Sequence, residues 1–269
     1  MKETQIVYQG QHQSFESLSY IVFDIATTGL KATKDELIQI SAVKIEKGEK
    51  IDSFNEYITP SQPLSDFIKK ITNITDEDIM NSKSLPEVLQ DFLDFVQDSV
   101  LIAHNIPFEM KFLQEKLKNF HYLPLENTYI DSLELAHRIY PNRKRYGLVS
   151  LIRDFLNSED YSGQGCLADV NALCELFPIM LRETLTKYNV KEISVFGSSI
   201  RNDFTNESDV DFLIEFRNSE KISLFDILDI QDYLQNITKR NVDIVEPGAL
   251  VNPYRREAIM NSKEPLYVG

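Results

Sequence analysis

Residues 195–214 read VFGSSIRNDFTNESDVDFLI. Two apolar runs of strand character enclose a Gly-Ser turn and an Asp-x-Asp pair. Asp209 and Asp211 open the second run, and side chains two apart on a strand point to one face. Carboxylates so placed repel unless a cation lies between them. For hard oxygen ligands beside a polyphosphate the natural cation is Mg²⁺. Gly197 and Ser198 stand between a strand and a helix start, where the backbone can approach a phosphate and free N–H groups favour the anion. Asp243, in the apolar run Asn-Val-Asp-Ile-Val, is a third acid. It is suited to complete the metal site or to take a proton from an attacking hydroxyl.

Outward from this stretch, strands alternate with helices. After residue 188 the pattern predicts a strand at 192–196, a helix start at Gly197-Ser198, a strand at 210–216, a helix at 224–236, a strand at 242–245 and a helix at 253–261. Before it, strands are expected at 19–27, 36–46, 53–59 and 100–104, and helices at 86–98, 108–120, from Asp131 to before Pro141, at 148–156 and at 167–187. Pro178 should kink or break the last of these. The alternation implies a three-layer α/β unit over residues 1–188 and a smaller unit over 189–269. No Gly/Ser linker separates them, so the helix ending near 187 is a candidate to be shared.

A chain of 269 residues is comfortable for two domains. No run of about 18 apolar residues exists to span a membrane. The N-terminal MKETQIVYQGQHQ has no apolar core, and with two cysteines lacking any metal-ligand spacing the chain reads as cytoplasmic. The net charge is −14. Residues 1–188 carry 19 Lys+Arg against 28 Asp+Glu, and residues 189–269 carry 9 against 14. Both halves are acidic, which disfavours tight duplex binding and suits a basic protein partner or a nucleotide carried with its cation. Arg143-Lys144-Arg145 and Arg255-Arg256 read as solvated faces. His12, His121 and His137 read as surface or packing residues, and His104 as shaping a cleft. Phe92, Phe95, Phe112 and Phe120 read as core.

The C-terminal segment resembles the minimal nucleotidyltransferases of the polymerase-β-like superfamily, whose signature is Gly-Ser, ten residues, then Asp-x-Asp. Residues 199–208 are the ten. Arg201 matches an arginine of the family's Phe-Gly-Ser-x-x-Arg stretch, and Asn202 replaces its usual glycine. The resemblance implies that Gly197, Ser198 and Arg201 bind the nucleotide, that Asp209, Asp211 and Asp243 carry catalysis and hold Mg²⁺ (or Mn²⁺), and that ATP is the substrate.

The N-terminal unit resembles the DnaQ-like, RNase T-like exonucleases, with an RNase H-like fold. YIVFDIATTGL at 20–30 matches the first motif, Asp-x-Glu-Thr-Thr-Gly-Leu, with Asp24 kept and Ala26 in place of the glutamate. LIAHNIPFE at 101–109 matches the second, with Glu109 in place of aspartate. QGCLAD at 164–169 matches the third, with Gln164 in place of histidine and Asp169 kept. No tyrosine stands four residues before Asp169. The family works with two metal ions on four carboxylates and a histidine base. Asp24, Ala26, Glu109, Gln164 and Asp169 therefore form a degenerate site, and nuclease activity is expected to be lost.

These resemblances imply an antitoxin-type enzyme that transfers AMP from ATP to a tyrosine hydroxyl of a HEPN ribonuclease toxin, with the pseudo-exonuclease docking or sensing the target. Two other readings are an active 3'-5' exonuclease joined to an RNA-end nucleotidyltransferase, acting on RNA or single-stranded DNA, and a non-catalytic binding protein.

Overall fold

The computed structural model describes residues 19–46, 48–80, 82–127, 129–163, 165–200, 208–238 and 240–268. The N-terminal stretch with His12, and the site candidates Gln164 and Arg201, lie outside them, as does Asn202.

The first unit opens with β1 (Ser19–Thr27), β2 (Leu37–Glu46) and β3 (Glu49–Tyr57). Two short helices follow, α1 (Asp66–Thr72) and α2 (Asp76–Met80), then α3 (Leu85–Val96), β4 (Val100–Ala103), α4 (Ile106–Asn119), β5 (Tyr129–Asp131), α5 (Ser132–Ile139), α6 (Leu148–Phe155) and α7 (Cys166–Lys187). The sheet order is β3-β2-β1-β4-β5, with β2 antiparallel to both β1 and β3, and β4 and β5 parallel to β1. Strand alternation sends Ile21, Phe23 and Ile25 to one face, against Leu89 and Phe92 of α3 and Phe112 of α4. It sends Tyr20 and Val22 to the other face, against α5, α6 and α7. Helices on both faces of the sheet make the expected three layers.

The second unit comprises β6 (Val190–Phe196), β7 (Val210–Phe216), α8 (Leu224–Thr238), β8 (Val242–Val245), α9 (Pro253–Ser262) and β9 (Glu264–Val268), with sheet order β8-β7-β6-β9. Gly197–Ile200 form a single 3-10 turn after β6, where the sequence suggested a helix start. The strand β9, pairing with β6, and the short α1, α2 and β5 were not expected from the sequence. Phe120 is 42% exposed rather than core, because it follows the last residue of α4 and points off its end. Phe92 and Phe112 are buried.

The two units share one core. Helix α7 continues through Pro178 without a break. Proline forfeits one backbone hydrogen bond there, but Leu176, Phe177 and Met180 are buried around it and hold the helix in place. The same apolar cluster contains Leu173 and Phe177 of α7 and Val190, Ile193, Phe212, Ile214, Ile230 and Tyr233 of the second unit. At its edge the Thr184 and Tyr233 hydroxyls lie 3.4 Å apart, Arg138 stands over the Tyr233 ring, and Arg138 pairs with Asp232 at 3.5 Å. No described helix is long and apolar enough to cross a membrane.

A shared core predicts shared unfolding. Tyr233→Ala should cost about 3 kcal/mol, the scale of deleting a buried ring, and should lower one cooperative transition rather than split off a C-terminal one. Calorimetry of the full chain checks this. A residual transition at the wild-type temperature would refute a common core.

Candidate functional sites

The C-terminal acids stand at one end of the second sheet. Strand β7 alternates: Val210, Phe212 and Ile214 enter the shared core, while Asp211 and Leu213 face away from it. The registers pair Asp211 with Phe196 on β6 and with Asp243 on β8. Asp211 and Asp243 are therefore neighbours on one face, with Asp209 exposed just ahead of the strand. Farther along that face Phe196, Leu213 and Leu250 pack on Ile259 of α9, so an apolar floor fixes the strand ends that carry the carboxylates.

Gly197 is held at a φ of +74°, a conformation that favours glycine. A Cβ at this position would lie 2.3 Å from Asp211 Oδ2. The glycine lets the turn pass directly against the carboxylate, and Ser198 follows it half-buried. Among the described residues no group of three or more His, Cys, Asp or Glu is gathered closely enough to hold a metal ion alone. Asp211 and Asp243 still fit Mg²⁺, which is commonly bound by one or two carboxylates with substrate phosphates and water supplying the rest.

The second set of acids lies in the first unit. Asp24 is on β1, on the α7 side of the sheet, with Ala26 two residues on. Asp169 is in the first turn of α7 and Glu109 in the first turn of α4. Ala26 is 5% exposed, within an apolar cluster of Ile38, Leu64, Ile68, Ile74 and Cys166. Burial, then the charge of Asp169, pushes Asp24 up to about 7, and the Cys166 thiol beside it offsets part of the rise. Burial, then the charge of Asp24, pushes Glu109 up to about 9. Glu109 is 4% exposed and its Oε2 has no hydrogen-bond partner. Asp169 is also raised by burial, and the Tyr161 hydroxyl donates to it.

Two residues here escaped the sequence reading. Cys166, one of two free and buried cysteines, lies beside Asp24, and burial followed by the Asp24 carboxyl pushes its thiol pKa up. Tyr161 lies eight residues before Asp169, outside the spacing searched. The loop beyond Asp24 is pinned from α4, where buried Lys116 donates to the carbonyls of Ala32 (2.8 Å) and Asp35 (2.6 Å). His104 braces the strand end, bonding Ser132 Oγ (3.0 Å) and the Tyr146 carbonyl (2.8 Å), and burial lowers its pKa.

The raised acids set a pH dependence. Glu109 keeps its proton in the folded chain to about pH 9, whereas the unfolded chain releases it near 4.5. The folded state thus binds more protons across that window, and stability falls as pH rises through it. Glu109→Gln, uncharged throughout, should flatten the fall and melt several degrees above wild type at pH 8. Melting temperatures at pH 5, 7 and 9 test this, and an unchanged slope in the variant would sink it.

Comparison with known proteins finds two family models in the chain. A family model described as "Exonuclease" matches residues 21–177, and one described as "Nucleotidyltransferase domain" matches residues 178–266. DNA polymerase III PolC-type of Streptococcus mutans is 36% identical over 198 residues, covering 74% of this chain, and that of Streptococcus sanguinis is 38% identical over 196 residues, covering 72%. The chain spans 13% of the length of each. Among solved structures, a 3'-exonuclease recognising a histone mRNA stem-loop superposes with TM-score 0.55 at 18% identity over 64% of this chain and 67% of that one. The nuclease domain of a DEDDh family member bound to rAMP gives 0.54 at 18% identity over 65% of this chain and 95% of that one. These likenesses show the RNase H-like fold. The chain belongs to the exonuclease family and carries a nucleotidyltransferase domain at its C-terminal end.

Proposed function

We propose that the chain is a Mg²⁺-dependent nucleotidyltransferase of the antitoxin type, which moves AMP from ATP to a tyrosine hydroxyl of a HEPN ribonuclease toxin, and that the exonuclease unit docks or senses that target without hydrolysing nucleic acid. The observation that carries it is the pairing of Asp211 with Asp243 on one sheet face, with Gly197 cut away against Asp211. In this reading the Gly197-Ser198 turn, with Arg201, holds the triphosphate, and Asp209 and Asp211 hold the metal. The cation, when bound, neutralises charge on the phosphates and polarises the α-phosphorus. Asp243, exposed and adjacent in register, takes the proton of the attacking hydroxyl. The hydroxyl oxygen bonds to the α-phosphorus, the bond to the bridging oxygen breaks, and pyrophosphate leaves. An acidic chain of net charge −14 suits a basic, RNA-cutting acceptor.

The test is transfer of label. The full chain is mixed with α-labelled ATP, Mg²⁺ and the product of the neighbouring gene, ideally a small helical protein with an Arg-x4–6-His motif. Label should reach the acceptor. Asp211→Asn should cut the rate at least about 100-fold, the scale of losing one preorganised transition-state contact. Gly197→Ala should do the same by displacing the Asp211 carboxylate. Absence of label on that acceptor, or full activity in Asp211→Asn, would sink the reading.

A second reading is favoured by the 36% identity to PolC-type polymerases: a working 3'-5' exonuclease beside a transferase that extends RNA ends. Ala26 and the burial of Glu109 weigh against it. Degradation of single-stranded RNA or DNA in Mg²⁺ or Mn²⁺, abolished by Asp24→Ala, would establish it.

A further inference from the structure

We propose that the exonuclease-like cleft has been rebuilt into a metal-free hydrogen-bonded cluster, in which the Cys166 thiol and the Tyr161 hydroxyl have taken over two of the carboxylates that a cation would need. The proposal deepens the view of this unit as non-hydrolytic, and it stands or falls separately from the AMP transfer.

A proton donor and a cation compete for the same lone pairs of a carboxylate. Asp169 receives the hydroxyl of Tyr161, and the buried Cys166 thiol lies against Asp24, where it offsets part of the rise that burial gives that acid. Both donors come from the segment that enters α7. There Gly165, at a φ of +94°, passes so close to α1 that a Cβ would meet the Thr72 carbonyl oxygen at 3.1 Å. That close pass leads the chain directly into Cys166, at the start of α7.

The neighbouring position has changed in the same direction. At residue 26 a methyl group stands where the family has a carboxylate, and its surroundings are Ile38, Leu64, Ile68 and Ile74. Mg²⁺ keeps several waters, and an apolar wall offers them no partners. Glu109, in the first turn of α4, is buried and its Oε2 has no hydrogen-bond partner. Among the described residues no three metal-binding groups converge.

The substitutions are complementary. Loss of the glutamate at position 26 removes negative charge beside Asp24, and Cys166 supplies a donor to the same acid. Asp169 becomes an acceptor with a donor of its own, and Asp24 lies against a thiol. Such a cleft keeps its shape without divalent ions.

The experiment counts Mn²⁺ bound to the full-length chain by electron paramagnetic resonance, with melting temperature as a second readout. The proposal expects that Asp211→Asn, which disables the transferase site, leaves no saturable Mn²⁺ binding. It also expects that Asp24→Asn, which keeps an acceptor oxygen for Cys166, binds Mn²⁺ as wild type does and melts no lower. Cys166→Ala and Tyr161→Phe should each lower the melting temperature by a few degrees with or without Mn²⁺. Saturable Mn²⁺ binding that persists in Asp211→Asn and vanishes when Asp24→Asn is added would overturn the proposal. If Asp211→Asn does not fold, wild type against Asp24→Asn decides: equal stoichiometry supports the cluster, and loss of one ion in Asp24→Asn refutes it. A wild-type chain that binds no Mn²⁺ even with ATP present would count against the transferase reading and leave the cluster standing.

Discussion

Helix α7 is the element on which the rest of the molecule depends. Its first turn brings Cys166 and Asp169 to β1, its middle covers one face of the first sheet, and its last turns pack on α8. Among the described residues the two sheets share no hydrogen-bonded strand pair. What joins them is apolar burial along this helix, closed at the rim by Thr184, Tyr233 and Arg138. That helix also explains how Pro178 is tolerated. The lost backbone bond costs about 3 kcal/mol in an exposed helix interior, but here both flanks are buried in a common core that no broken helix could fill.

The acids of the two sites have the same chemistry and opposite surroundings. Asp209 and Asp243 lie exposed at the open end of a small sheet, where charge is cheaply solvated. Asp24 and Glu109 lie in a low-dielectric cleft, where burial raises both and the charge of Asp24 raises Glu109 further. In the first arrangement carboxylates are ready to meet a cation brought in with a polyphosphate. In the second they are held by donors and by protons.

How much of this was legible in the sequence follows from the range of the forces involved. Period-two alternation and the Gly-Ser-to-Asp-x-Asp spacing are local, so the strands and Asp209 and Asp211 could be read directly. Asp243 could be placed on a strand, but its register against Asp211 needed the parallel pairing of β7 with β8. The helices α1 and α2, seven and five residues long, are too short to show a periodic face. Strand β9 follows a helix and finds its partner, β6, some seventy residues earlier. The approach of Cys166 to Asp24 and the bond of Tyr161 to Asp169 depend on how the loop enters α7, which no residue spacing encodes.

One strand shows how closely docking and chemistry are linked. In Val210-Asp211-Phe212-Leu213-Ile214 the even positions bind the second unit to the first, and the odd positions carry the acid and its apolar support. Because side chains alternate strictly, a shift of register by one residue would bury Asp211 in the shared core and expose Phe212. The cost of burying a carboxylate without a partner forbids that shift. Asp211 therefore helps to set the register by which the domain docks, and the docked core in turn holds the acid at the open face. The exonuclease-like unit thus fixes the strand that carries Asp211.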